Sequence, residues 1–186
     1  MKRAFDLLLS IILMILLFIP MLVVAILIKI SSKGPAIFWT DRVGKNNAIF
    51  KMAKFRTMKV ETPQVATHLM KNPGDYLIPG GEILRKYSID ELLQLLNVIK
   101  GDMSFVGPRP ALFNQDDLIA LRTKKSIHTL IPGITGWAQV HGRDDLSIPL
   151  KVELDEYYLK KRSFIMDLKI LILTVVKVIR KEGVWH

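Results

Sequence analysis

From Leu7 to Ile28 the chain is apolar at every position except Ser10 and Pro20. The run exceeds the ~20 residues that a helix needs to cross a bilayer. It is too long for a signal-peptide core, and no small-residue cleavage site follows it, so it is expected to be retained. Pro20 removes one backbone hydrogen bond and clashes with the preceding turn. A break there leaves pieces of about 13 and 9 residues, or ~20 and ~13 Å, each short of a ~30 Å hydrocarbon core. Lys2 and Arg3 precede the run and Lys29 and Lys33 follow it, so its two flanks are alike in charge. Length alone also permits a straight span. The break and the matched basic flanks instead predict a segment that returns to the cytoplasmic face it left. Residues 1–33 are thus expected to form a re-entrant membrane helix broken at Pro20, and residues 34–186 a domain on the cytoplasmic side.

The net charge of +10, from 27 basic and 17 acidic residues, calls for an anionic partner such as a membrane surface or a phosphorylated substrate. A nucleic-acid binder is a poor fit, because no stacking motif accompanies the charge. The absence of cysteine excludes thiolate catalysis, disulfides and Cys-rich metal sites. His68, His128, His141 and His186 are far apart and lack metal-ligand spacing.

Ala36 to Met58 reads as two β-prone stretches around a Gly-Lys-Asn-Asn turn, a hairpin signal. It carries Arg42, Lys45, Lys51, Lys54 and Arg56, with Lys59 just beyond, against Asp41 alone. Glu61 to Gly81, with three prolines, reads as an irregular loop. A helix is expected from Ile89 to Ile99, ended by Gly101 in the left-handed region. Asp90 and Glu91 sit at its start, and Ser88 with Glu91 forms a capping-box pattern, so the acids can serve the helix as well as chemistry. Asp90, Gln94 and Asn97 form one polar stripe at i, i+4 and i+7, which calls for solvent or a ligand. A Pro-Arg-Pro follows at Pro108 to Pro110, holding Arg109 on a pre-ordered backbone. A second Gly/Pro-rich turn presents Arg143. From Phe164 to Lys181 the chain reads as an amphipathic helix. A soluble core helix would look similar; with a membrane segment in the same chain, an interfacial helix is the better reading. The fold class is α+β, mostly helical, with a small β-hairpin and amphipathic interfacial helices.

Four segments in order, "KFRTM" from Lys54, "LRKYSIDELLQLLNVIKGDMSFVGPRP" from Leu84, "PGITGWAQVHGR" from Pro132 and "DEYYLKKRSFIMDLKIL" from Asp155, resemble the catalytic core of the bacterial monotopic phosphoglycosyl transferases, of the minimal type. The resemblance implies a re-entrant helix at the N-terminus and a location on the cytoplasmic face of the bacterial inner membrane. It implies transfer of a phosphosugar from a UDP-sugar to polyprenol (undecaprenyl) phosphate, with release of UMP and a requirement for Mg²⁺. Asp90 would be the nucleophile that forms a phosphosugar–enzyme intermediate. Glu91, with Asp90 beside it, would hold the metal. The sequence departs from the family pattern at Leu93, where Pro is common, at His141, where Asn is common, and at Ile19 before Pro20, where Ser is common.

The residue chemistry agrees. Mg²⁺ takes oxygen ligands and is satisfied by one or two carboxylates plus substrate phosphates. A carboxylate can split one hard displacement into two. Pro108 and Arg109, together with Arg143, Lys54 and Arg56, are the expected donor-binding residues, arginine offering a bidentate fork to phosphate. A glycosidase is disfavoured, because its two carboxyls must face each other across the scissile bond. A non-enzymatic adaptor on anionic lipid would use the charge but leave the acid pair without a purpose.

Overall fold

A computed structural model describes residues 1–63, 72–142 and 146–180. Helix α1 (Lys2–Ser31) leads to a hairpin of β1 (Ile37–Val43) and β2 (Ile49–Phe55). Next come α2 (Gly81–Lys86), a 3₁₀ turn at Ile89–Glu91, α3 (Gln94–Lys100), β3 (Ser104–Val106) and β4 (Ala111–Leu112). The chain closes with α4 (Asp116–Lys124), β5 (Gly133–Thr135), α5 (Ile148–Lys161) and α6 (Phe164–Arg180). The class is α+β, as expected.

The hairpin forms where its pattern placed it, with Ile37 opposite Phe55 and Val43 opposite Ile49, and β4 extends β1 on its other edge. The free edge of β2 is covered by a side chain. Asn97 accepts from the Ala53 N–H at 3.1 Å and donates to the Lys51 carbonyl at 2.7 Å, as a third strand would. This satisfies an edge that would otherwise present open backbone groups. The polar stripe on α3 is therefore structural at Asn97, which is buried, as is Gln94. β3 and β5 pair in parallel and lead into two turns in close backbone contact. A Cβ on Gly133 would stand 2.1 Å from the Gly107 nitrogen, so no side chain fits there.

Two expectations at helix ends are corrected. The helix expected over Ile89–Ile99 is a 3₁₀ turn followed by α3, and the capping box is absent. Ser88 adopts φ 54° and makes no side-chain cap, so Glu91 is released to other partners. Gly101 ends α3 at φ 100°, as read from sequence. The loop over Glu61–Gly81 includes a 3₁₀ turn at Pro73–Tyr76, and Gly81 opens the unforeseen α2; residues 64–71 lie outside the described residues.

α1 is assigned as one helix from Lys2 to Ser31 with Pro20 inside it. Proline frees a single carbonyl, that of Leu16, in an otherwise complete ladder. One stripe of α1, through Leu9, Leu13, Leu17, Met21, Val24 and Ile28, packs on the rest of the protein along the helix. Those intervals of three and four define one helical face. The opposite face is bare and greasy, with Ile15, Leu16, Phe18, Ile19, Leu27 and Ile30 exposed. Both ends of α1 are tied down. Lys2 pairs with Asp167 at 2.6 Å, Arg3 donates to the Val98 carbonyl, and Asp6 accepts from Ser104. At the far end Arg56 donates to Ser32 and to the Pro35 carbonyl. Helix α6 shows a similar division: Asp167 and Ile170 are buried while Ile165, Leu168, Ile172 and Val175 are exposed. The two helices meet where Phe5 and Phe164 pack edge to face at 5.3 Å.

Candidate active site

The 3₁₀ turn at Ile89–Glu91 points both acids toward β2. Asp90 is buried, and the Glu91 side chain is 12% exposed. Two cations meet them. Lys54 Nζ lies 2.7 Å from Glu91 Oε1 and 3.6 Å from Asp90 Oδ2, bridging the pair. Arg109 Nη2 donates to the same Glu91 oxygen at 2.8 Å. Lys54 reaches this point because β2 is held in register by Asn97, and Arg109 because it lies in the turn between β3 and β4.

The two carboxyls are treated differently by this setting. Burial opposes the charge on Glu91, but Arg109 and Lys54, by charge and by hydrogen bonds, outweigh it and hold the group well below the usual carboxylate range. For Asp90 burial dominates and pushes the pKa up; the Glu91 charge adds to this, while Lys54, Arg85 and Arg109 oppose it. Glu91 is thus fixed as an anion. Asp90 is the less completely paired acid, its ion pair with Lys54 being the longer one. A carboxylate stripped of water and weakly paired is suited to attack an electrophile.

Of the expected donor ligands, Lys54 and Arg109 converge on the acids. Pro108 contributes through its carbonyl, which accepts from the Gly133 N–H at 3.0 Å. Arg56 is drawn to the end of α1, where Ser32 and Pro35 take its donors. Arg143 lies outside the described residues. His141 has its own local use: its Nδ1 is 2.7 Å from the Trp137 carbonyl, to which it donates. Sequence reading missed Arg85, whose charge bears on Asp90. It also missed Arg122 and Asp155, which form a buried pair behind Arg109. The available signal was Asp155 itself, a carboxylate on the α5 face that also carries Val152 and Tyr158.

Among the described residues no group of three or more acids or histidines could hold a metal. A Mg²⁺ ion that shares its shell with substrate phosphates needs fewer ligands, and the adjacent carboxylates of Asp90 and Glu91 fit that demand.

A family model described as bacterial sugar transferase matches residues 1–181. The chain belongs to the bacterial sugar transferase family. It is 43% identical over 187 residues to the uncharacterized sugar transferase EpsL of Bacillus subtilis, covering 99% of this chain and 90% of that protein. It is 40% identical to the UDP-N-acetylgalactosamine-undecaprenyl-phosphate N-acetylgalactosaminephosphotransferase of Aeromonas hydrophila, over 98% of this chain and 44% of that one. The UDP-glucose:undecaprenyl-phosphate glucose-1-phosphate transferase of Escherichia coli is 38% identical, over 95% of this chain and 40% of its own length. The transferase thus spans less than half of these last two relatives and most of EpsL. Being a transferase, it is not the non-enzymatic adaptor that its charge alone would allow.

Proposed function

We propose that this transferase moves a phosphosugar from a UDP-sugar to undecaprenyl phosphate, on the cytoplasmic face of the bacterial inner membrane, through a covalent intermediate on Asp90. The observation that carries the reading is the buried Asp90–Glu91 pair bridged by Lys54 and clamped by Arg109. The relatives' names supply the substrate class.

In the first half-reaction an Asp90 oxygen attacks the sugar-bearing phosphorus of the donor. A bond forms between that oxygen and phosphorus, the bridging P–O bond breaks, and UMP leaves with the electron pair. In the second, a phosphate oxygen of undecaprenyl phosphate attacks the same phosphorus and Asp90 departs as a carboxylate. The product is polyprenol-diphosphate-sugar. Glu91 and Asp90 would hold Mg²⁺, which when bound neutralises charge on the diphosphate. Lys54 and Arg109 turn from Glu91 to the donor phosphates as they arrive, so the pair's internal neutrality is exchanged for neutrality with substrate. The decisive assay is UMP release from a panel of UDP-sugars with undecaprenyl phosphate and Mg²⁺; no release from any donor sinks the reading.

The same reading gives the topology, and gives α1 its role. Lys2, Arg3 and Asp6 at one end and Ser32 at the other are bonded to one folded body. A helix so tied enters and leaves the membrane on one side, with its bare face toward phospholipid acyl chains. The chain has no cysteine, so single cysteines at Ala4 and Lys33 report cleanly. Both should react with a membrane-impermeant reagent in inverted vesicles and neither in intact cells. Labelling of the Ala4 position from outside intact cells would establish a span.

A further inference from the structure

Pro108 and Pro110 have no N–H, so the turn that carries Arg109 is held by its carbonyls. The Pro108 carbonyl accepts from the Gly133 N–H at 3.0 Å, that of Arg109 from Arg122 Nη1 at 2.8 Å, and that of Pro110 from Arg42 Nη1 at 3.3 Å. Arg122 is itself locked. Its Nε and Nη2 donate to Asp155 Oδ2 at 3.0 and 2.6 Å, and the two residues are 8% and 1% exposed.

We propose that Arg122 and Asp155 form a positioning pair that aims Arg109 at Glu91 and at the donor phosphates. The inference rests on the reading of Arg109 given above. Proline rings fix φ on both sides of Arg109, and a residue before proline is confined to extended backbone. What remains to be fixed is how this stiff turn sits on the body of the protein, and the Arg109 carbonyl is the atom by which Arg122 holds it. Asp155 in turn fixes the plane of the Arg122 fork. The chain of contacts runs from α5 through α4 and the turn to Glu91, where Arg109 Nη2 arrives at 2.8 Å. A pair that merely joined α4 to α5 would have no need of the third bond. A lysine at position 122 carries its three donors on one nitrogen and lacks the span of the fork, so it cannot hold Asp155 and the carbonyl through separate nitrogens as Arg122 does.

The test is a cycle between this pair and Arg109, read by UMP release. Arg122→Met with Asp155→Leu removes both charges together, so neither is left buried alone. This double variant is expected to fold, with a raised donor KM and kcat/KM lowered about ten- to a hundredfold, the scale on which misplaced binding groups are felt. In an Arg109→Lys background the same double change should cost no more than about twofold, because the group it aims is already gone. Full multiplication of the two losses, or wild-type kinetics in the double variant, overturns the proposal. Arg122→Lys keeps the charge without the fork and should show the same loss, which covers failure of the double variant to fold; full activity in Arg122→Lys is equally contrary. Amide exchange across residues 104–113 without substrate reads the anchor independently, and should quicken in the double variant without global loosening; unchanged exchange counts against it. A wild-type protein that releases no UMP from any donor would instead sink the proposed function, and the exchange measurement would still judge the anchor.

Discussion

Two clusters of buried acids and cations lie at opposite ends of Arg109, and they are finished to different degrees. In the Arg122–Asp155 pair, two nitrogens of the fork close on one carboxylate oxygen at 2.6 and 3.0 Å and a third takes a backbone carbonyl. In the other cluster, Lys54 and Arg109 both converge on one oxygen of Glu91, while Asp90 is met only at 3.6 Å. The first arrangement is complete. The second places two adjacent acids under two cations that share a single acceptor, an arrangement that a diphosphate and a metal can rearrange. A buried ion pair is by itself weak evidence of stabilisation, since desolvation offsets much of its attraction. Its completeness is the better guide to purpose.

Breaking each cluster should therefore give opposite symptoms. Asp90→Asn removes the nucleophile, and turnover should fall by orders of magnitude while the thermal midpoint stays near that of the wild type. Near-native turnover would end the covalent mechanism. Asp155→Asn leaves Arg122 buried without its countercharge and should cost about 3–5 kcal/mol in denaturant unfolding. Recovery of much of that loss in the Arg122→Met, Asp155→Leu combination would show that the uncompensated charge, not lost packing, was responsible. A subtler change sharpens the contrast. Burial raises the Asp90 pKa and the Lys54 ammonium pulls it back. Asp90 must be ionised to attack, so activity falls on the acid side as it protonates. In Lys54→Met the opposing cation is gone, the Asp90 pKa rises further, and the acid limb of the kcat/KM profile should move to higher pH. A limb that stays in place, or moves to lower pH, contradicts the bridging role of Lys54.

Local chemistry was legible in the sequence where one residue type decides it. The hairpin followed from β-prone stretches around Gly-Lys-Asn-Asn, and the end of α3 from Gly101. Asp90, Glu91, Lys54 and Arg109 were drawn from segments far apart in the chain, and the fold brings those four together. What failed depended on tertiary partners. Ser88 and Glu91 have the pattern of a capping box, but Lys54 and Arg109 attract Glu91 more strongly than a backbone N–H does. Asn97 read as a residue awaiting solvent or a ligand because nothing local reveals that β2 offers its open edge there. Pro20 costs α1 one hydrogen bond, and residues of α1 pack on the rest of the protein on both sides of it. Arg56, expected among the donor-binding residues, here gives its donors to Ser32 and to the Pro35 carbonyl beyond the end of α1.

The central claim is that Asp90 carries the phosphosugar between two half-reactions. It is tested most directly by withholding the acceptor. Purified transferase given a UDP-sugar that supports turnover, with Mg²⁺ and without undecaprenyl phosphate, should release about one equivalent of UMP, as expected of a covalent first step. Intact mass should rise by one phosphosugar, peptide mapping should place the addition on Asp90, and adding undecaprenyl phosphate should discharge it. UMP release that requires the acceptor, with no mass change at any residue, would contradict the account and point to direct transfer in a single displacement.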